Sequence, residues 1–174
     1  MPFSSFNHID IFAGCGGISL GLHNSGWKGI FAIEKSKMAF TTLKYNMIDR
    51  LNHFDWPKWF PVCNHNILNV MRDYKHELSN LNGKITLVAG GPPCQGFSLA
   101  GRREEKDKRN LLVKSYIEFI KIVKPKLLFF ENVQGFTASF GKQNKKSQSY
   151  SNYVTRSLEN LGYTVNGFII DFSL

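Results

Sequence analysis

Short apolar runs that alternate with helical segments most narrow the folds open to this chain of 174 residues. The runs are His8-Ile9-Asp10-Ile11-Phe12, Ile30-Phe31-Ala32-Ile33, Ile85-Thr86-Leu87-Val88-Ala89 and Leu127-Leu128-Phe129-Phe130. They are too short for buried helices and read as strands. Residues 163–170 read as a further strand, and residues 61–66 as another. Between them, residues 37–48, 70–81, 111–123 and 153–161 read as helices, and Ile18 opens one more. Residues 111–123 carry Leu112, Tyr116, Phe119, Ile120 and Val123 at helical spacing, and Pro125 stops the helix. Gly162 fits a C-cap for residues 153–161. This alternation implies an α/β fold with a doubly wound, mostly parallel sheet. The length suits one domain with one core. In such sheets ligands bind beyond the carboxyl ends of the strands, so the residues that follow each run hold the functional information.

Two of those strand ends stand out. Residues 85–89 lead into Gly90-Gly91-Pro92-Pro93-Cys94-Gln95-Gly96-Phe97-Ser98. Two prolines fix φ and donate no hydrogen bonds, so the thiol of Cys94 is held in one place. A free cysteine is most often a buried core residue, and Cys94 alone decides nothing. The first run leads into Gly14-Cys15-Gly16-Gly17 and then a helix. Missing Cβ atoms let a ligand approach the backbone, and a helix N-terminus offers N–H groups to an anion. That anion is a pyrophosphate or the carboxylate of a methionine moiety. Glu34 closes the second run roughly 20 residues on, where an acid hydrogen-bonds ribose hydroxyls. By pattern alone NAD and S-adenosylmethionine fit equally, because the glycines lack the full G-x-G-x-x-G spacing.

Charge adds a partner. Lys and Arg number 22 against 13 Asp and Glu, a formal charge of +9, which favours a polyanion such as nucleic acid. Cys15, Cys63 and Cys94 are an odd set with no paired spacing, so a reducing compartment is expected rather than a disulfide framework. Cys63 and His65, even with His53 and His76, lack zinc-ligand spacing, and no metal site is expected. No apolar run approaches a membrane span, and the first residues carry no signal-peptide pattern. A cytoplasmic protein is expected.

Asp10-Ile11-Phe12-Ala13-Gly14-Cys15-Gly16-Gly17, the Pro93-Cys94 pair before a glycine-containing loop, and Glu131-Asn132-Val133 after a later strand resemble the cytosine-5 DNA methyltransferase family. The resemblance covers almost the whole chain. It implies the Rossmann-like fold of S-adenosylmethionine-dependent methyltransferases, that cofactor, and double-stranded DNA as substrate. It puts Phe12 on the adenine, Cys15 and Gly17 around the methionine end, and Glu34 on the ribose. It also puts Gly91 and Pro93 in the cofactor pocket. Where the family has an aspartate for the adenine amino group, this chain offers Asn66, followed by Ile67. An amide oxygen accepts that hydrogen bond without charge assistance.

The resemblance makes Cys94 the nucleophile and Glu131 the carboxyl group beside N3 of the cytosine. The target carbon is out of reach inside a duplex, so the base must flip out. Residues 96–109 then form a lid hinged at Gly96 and Gly101, with Ser98, Arg103 and Arg109 on the DNA backbone. Asn132 fixes local backbone.

In the family a Gln-x-Arg-x-Arg motif, a target-recognition domain and a final helix come later, and residues 1–174 contain none of them. The chain is therefore expected to be the N-terminal part of the catalytic domain, silent alone and completed by a second chain or by sequence beyond it. The family's usual setting is restriction–modification. Two other readings stand beside this one. A tRNA cytosine-5 methyltransferase shares the fold, although its cysteine loop usually continues with a Pro-Phe-Thr-like run. A non-catalytic half of a two-chain enzyme is the other.

Overall fold

The computed structural model describes residues 6–93, 110–133 and 150–170. The chain divides into two compact units, Met1–Pro92 with Glu118–Glu131, and Pro93–Ile117 with Asn132–Leu174. In the first unit β1 (Asn7–Ile11) leads to α1 (Gly17–Asn24), β2 (Lys28–Ile33) and α2 (Lys37–Leu43). The helix α2 runs on as a π-helical segment, Lys44–Arg50. Then come α3 (Ile67–Asp73), α4 (Lys75–Ser79) and β3 (Leu87–Gly90). Helix α5 (Asn110–Val123) passes from one unit into the other, and β4 (Leu127–Phe130) belongs to the first. Helix α6 (Tyr150–Glu159) lies in the second unit.

The four strands pair in the order β2-β1-β3-β4, all parallel. The chain steps outward from β1 to β2, then returns to the other side of β1 for β3. The order reverses between β1 and β3, and the crevice at such a reversal is where open sheets bind ligands. Ile11 pairs with Ile33 on one side and Gly90 on the other, and Gly90 pairs with Phe130. These last-paired residues form one row, so Phe12, Glu34, Gly91 and Glu131 all leave the sheet at one level.

The central strands are apolar because both faces are covered. Ile9, Ile11, Phe31, Ala32, Val88 and Ala89 are fully buried. Helix α5 buries Tyr116, Phe119, Ile120 and Val123, the stripe its period announces. The turns at Gly26, Gly83 and Gly162 have positive φ, as their glycines imply.

Four sequence expectations change. Residues 61–66 are not a strand. Cys63 N–H donates to Pro61 O in a turn, His65 N–H makes a single bond to Glu34 O just past β2, and Asn66 caps α3, so no ladder of strand hydrogen bonds forms. Residues 163–170 do not form a strand either, and Phe168, Ile169 and Ile170 are strongly exposed. A strand exists only through a paired neighbour, and no strand among the described residues pairs with them. The helix expected over residues 70–81 begins at Ile67 and breaks at Tyr74 (φ −117°, ψ 29°). The helix expected over residues 37–48 continues to Arg50 by widening into the π form, seen in Leu51 N–H donating to Asn46 O.

One buried polar feature lies at the amino end of the sheet. His8 Nε2 on β1 is 2.7 Å from His53 Nε2, and His53 Nδ1 is 3.2 Å from His23 Nδ1 on α1. His53 N–H donates to Met47 O of the π-helical segment. The chain of three imidazoles thus ties together β1, α1 and the π-helical segment.

Candidate active site

The site begins at the Phe12–Gly17 turn. Phe12 has φ +58°, a left-handed conformation that costs a bulky residue roughly 1–2 kcal/mol. Such strain persists only where surrounding contacts over-determine it. Those contacts are present. Ala13 N–H donates to Ile33 O (3.1 Å), and Gly16 N–H donates to Ala13 O (2.9 Å). Glu34 holds the turn from β2, accepting Gly14 N–H at 2.8 Å on one oxygen and Ser36 N–H at 2.6 Å on the other. Below it, Ala13, Leu43 and Met47 belong to one core cluster with Ala32, Phe40 and Phe54.

The glycines of the turn are not equivalent. Gly16 has φ +92°, and a Cβ there would sit 3.2 Å from Met47 Cγ and 3.3 Å from Leu43 Cγ. Backbone and packing both require glycine. Gly17, the first residue of α1, has no positive φ, and a Cβ there would meet nothing within 4 Å among the described residues. Nothing among those residues requires glycine at this position. Open space at a helix N-terminus that no side chain caps suits an anionic ligand group that approaches the backbone. Cys15 is exposed beside it. The residues thus fit the amino-acid end of S-adenosylmethionine.

Asn66 Oδ1 accepts Leu68 N–H at 3.0 Å as the cap of α3, so one of its two acceptor sites is committed. Ile67 is buried, its side chain turned into the core. Gly91 and Glu131 meet at the ends of β3 and β4, where Glu131 N–H donates to Gly90 O at 3.1 Å. Pro93 follows as the last described residue before Cys94. Cys94, Ser98, Arg103 and Arg109 lie outside the described residues. Asn132 Oδ1 accepts Val133 N–H (2.8 Å), a local backbone role.

Sequence reasoning passed over Asp10. Its carboxyl is fully buried and accepts Ser19 Oγ–H at 2.6 Å. Oδ1 has no hydrogen-bond partner among the described residues. Burial pushes its pKa up to about 7; the hydrogen bonds from the Ser19 side chain and backbone oppose this, and the nearby Glu34 carboxylate adds to it. The available signal was an acid inside an otherwise apolar run.

Cys63 Sγ lies 3.4 Å from His65 Nε2. No group of three or more metal-ligating side chains gathers among the described residues. No helix among them is long and apolar enough to cross a membrane.

A parallel sheet with a reversed strand order, a strained aromatic before a glycine turn, and an acid on the next strand end define a Rossmann-like fold with its ligand crevice at the carboxyl edge. The comparisons sharpen the class. The family model for C-5 cytosine-specific DNA methylase matches residues 6–173, and the chain belongs to that family. The chain is 35% identical over 166 residues to the type II methyltransferase M.DdeI of Desulfomicrobium norvegicum, covering 95% of this chain and 36% of that protein. It is 32% identical over 126 residues to M.HgiGI of Herpetosiphon aurantiacus, covering 72% of this chain and 89% of that one. A solved structure described as a prophage-encoded DNA modification methyltransferase of E. coli aligns with a TM-score of 0.60 at 24% identity. The alignment covers 90% of this chain and 38% of that one, and supports the fold alone. Against its first curated relatives the chain spans about a third of their length (36%, 34% and 34%). C-5 cytosine methylases use S-adenosylmethionine, the cofactor that the turn and Glu34 fit.

Proposed function

We propose that the chain is the N-terminal part of the catalytic domain of a DNA cytosine-5 methyltransferase of a restriction–modification system. The observation that carries this reading is the single row at the carboxyl edge of the sheet. Phe12, Glu34, Gly91 and Glu131, each assigned to the site by motif, follow the four residues paired across that row.

Bound S-adenosylmethionine supplies an electrophilic methyl group. Phe12 packs on its adenine and Glu34 accepts from its ribose hydroxyls. Cys15, Gly17, Asn66, Ile67 and Pro93 line the remainder. Cytosine C5 is a poor nucleophile until a thiolate adds to C6. Cys94 supplies that thiolate, forming an S–C6 bond and moving the C5=C6 electron pair onto C5. Glu131 stabilises the charge at N3 and the exocyclic amine. After C5 takes the methyl group, loss of its proton and expulsion of Cys94 restore the ring. Ser98, Arg103 and Arg109 hold the backbone of the DNA around the flipped base. A second chain, or further sequence, supplies the target recognition that relatives of greater length carry. Double-stranded DNA as substrate goes with a cytoplasmic protein.

Two measurements test the reading. In calorimetry the chain is expected to bind S-adenosylmethionine or S-adenosylhomocysteine in preference to NAD, and binding of NAD alone would overturn the cofactor. With the complementing part and cofactor present, DNA carrying 5-fluorocytosine is expected to trap the chain covalently. Cys94→Ser should abolish the adduct while Cys15→Ser and Cys63→Ser retain it. Trapping on tRNA but not on DNA would favour the tRNA enzyme of the same fold.

A further inference from the structure

Gly90 and Gly91 stand side by side at the end of β3, and different neighbours fill their side-chain space. A Cβ on Gly90 would press on the carbonyl oxygen of Ile11 and lie 2.7 Å from Ile11 Cγ1. This is the close approach of two paired central strands. A Cβ on Gly91 would meet the Glu131 carboxylate, with Oε2 the nearest atom and Cδ at 3.5 Å. The nearest backbone atom among the described residues is Glu131 O, at 3.4 Å. Gly91 has no positive φ, so neither main-chain strain nor strand packing calls for glycine here. The Glu131 carboxyl occupies the place a side chain would take.

We propose that Gly91 is a positioning residue for Glu131, and that its missing Cβ is the seat of the Glu131 carboxyl. The inference rests on the reading of Glu131 as the carboxyl that faces the cytosine. It replaces the cofactor contact expected of Gly91 with a contact to the chemistry. The backbone of Glu131 is already fixed by its N–H bond to Gly90 O, so only the side-chain torsions remain free. Seating the carboxyl on Gly91 selects among them and holds it over the end of the strand that continues through Pro92 and Pro93 to Cys94. The end of a Glu side chain is flexible, so an added methyl group displaces the carboxyl with little effect on the fold. Gly91→Ala therefore separates position from stability.

The test follows the Glu131 side-chain carboxyl by carbon-detected NMR on uniformly 13C-labelled chain, its resonance assigned with Glu131→Gln. Gly91→Ala is expected to shift that resonance. The urea unfolding midpoint should stay close to that of wild type. An unchanged resonance overturns the seat, and a loss of S-adenosylhomocysteine affinity above tenfold alongside it returns Gly91 to the cofactor pocket. Should wild type bind no S-adenosylhomocysteine, the carboxyl resonance alone decides the seat. If Gly91→Ala does not fold, the double variant Gly91→Ala/Glu131→Ala is expected to fold, because the clash is with that carboxyl. Failure of the double variant overturns the proposal.

Discussion

At the level of single residues, Gly17 separates what the chain needs from what a ligand needs. It is exposed, free of positive φ and open where a Cβ would stand. Alanine at an exposed helical position is more favourable than glycine by up to about 1 kcal/mol. Gly17→Ala should therefore leave stability equal or slightly raised, while S-adenosylhomocysteine affinity falls at least tenfold. Calorimetry beside a thermal melt measures both, and unchanged affinity would remove Gly17 from the pocket. Gly90→Ala should behave in the opposite way. Its methyl group meets backbone of the adjacent strand, and overpacking of this kind costs about 1–3 kcal/mol, which urea unfolding will register. Phe12, Glu34 and Glu131 were legible from the sequence because each ends an apolar run, and a run's end is its position on the sheet edge. Asp10 was not, since burial depends on which elements cover a strand. Nor was the cap at Asn66, because an Asx side chain serves a helix start and a ligand with the same oxygen.

The elements show where periodicity informs and where it fails. Strands β1, β2, β3 and β4 were readable because each lies in a short, mostly apolar run. Residues 37–50 gave only partial helical periodicity, because Met38 is apolar yet lies off the buried stripe. An α-helix turns in 3.6 residues, whereas the π-helical segment Lys44–Arg50 closes hydrogen bonds five residues apart. Met38 points outward (82% exposed), while Phe40, Leu43 and Met47, at i, i+3 and i+7, are buried. Short π segments are frequent at functional sites, and this one carries Met47 to the underside of Gly16. Met47→Ala should cost about 2–5 kcal/mol, as other buried truncations do. Met47→Leu, which conserves volume, should cost less than about 1.5 kcal/mol. Chemical denaturation of the two variants checks the pair, and equal costs would mean that Met47 does not fill this space. Residues 163–170 failed as a strand for another reason. Alternation and β-branching are local, whereas a strand requires a neighbour that local sequence cannot supply.

On the scale of the whole molecule, buried titratable groups make stability depend on pH in a direction the geometry dictates. Burial, with the neighbouring imidazole of His53 adding to it, brings His8 from 6.5 down to about 3. Burial, then the charges of His23 and Lys28, bring His53 down to about 4, with Asp55 opposing. The cheapest arrangement has His8 Nε2–H donating to His53 Nε2 and His53 Nδ1–H donating to His23 Nδ1. That leaves the buried His8 Nδ1, which lacks a partner among the described residues, as an acceptor rather than an orphaned donor. Between pH 6.5 and 4 the unfolded chain protonates both histidines and the folded chain protonates neither, so stability falls as pH falls. Asp10 has the opposite sign. Its pKa is raised from 3.8 to about 7, so the folded chain holds a proton there that the unfolded chain has released, and acidification favours folding. Two protons against one leave a net loss of about 1.4 kcal/mol per pH unit across that window. Asp10→Asn removes the opposing term and should steepen the fall to roughly twice that slope. Urea unfolding at half-unit steps from pH 7 to 4 measures both slopes. A shallower slope in Asp10→Asn would show that Asp10 is ionised in the folded chain, and with it that burial does not govern the centre of this sheet.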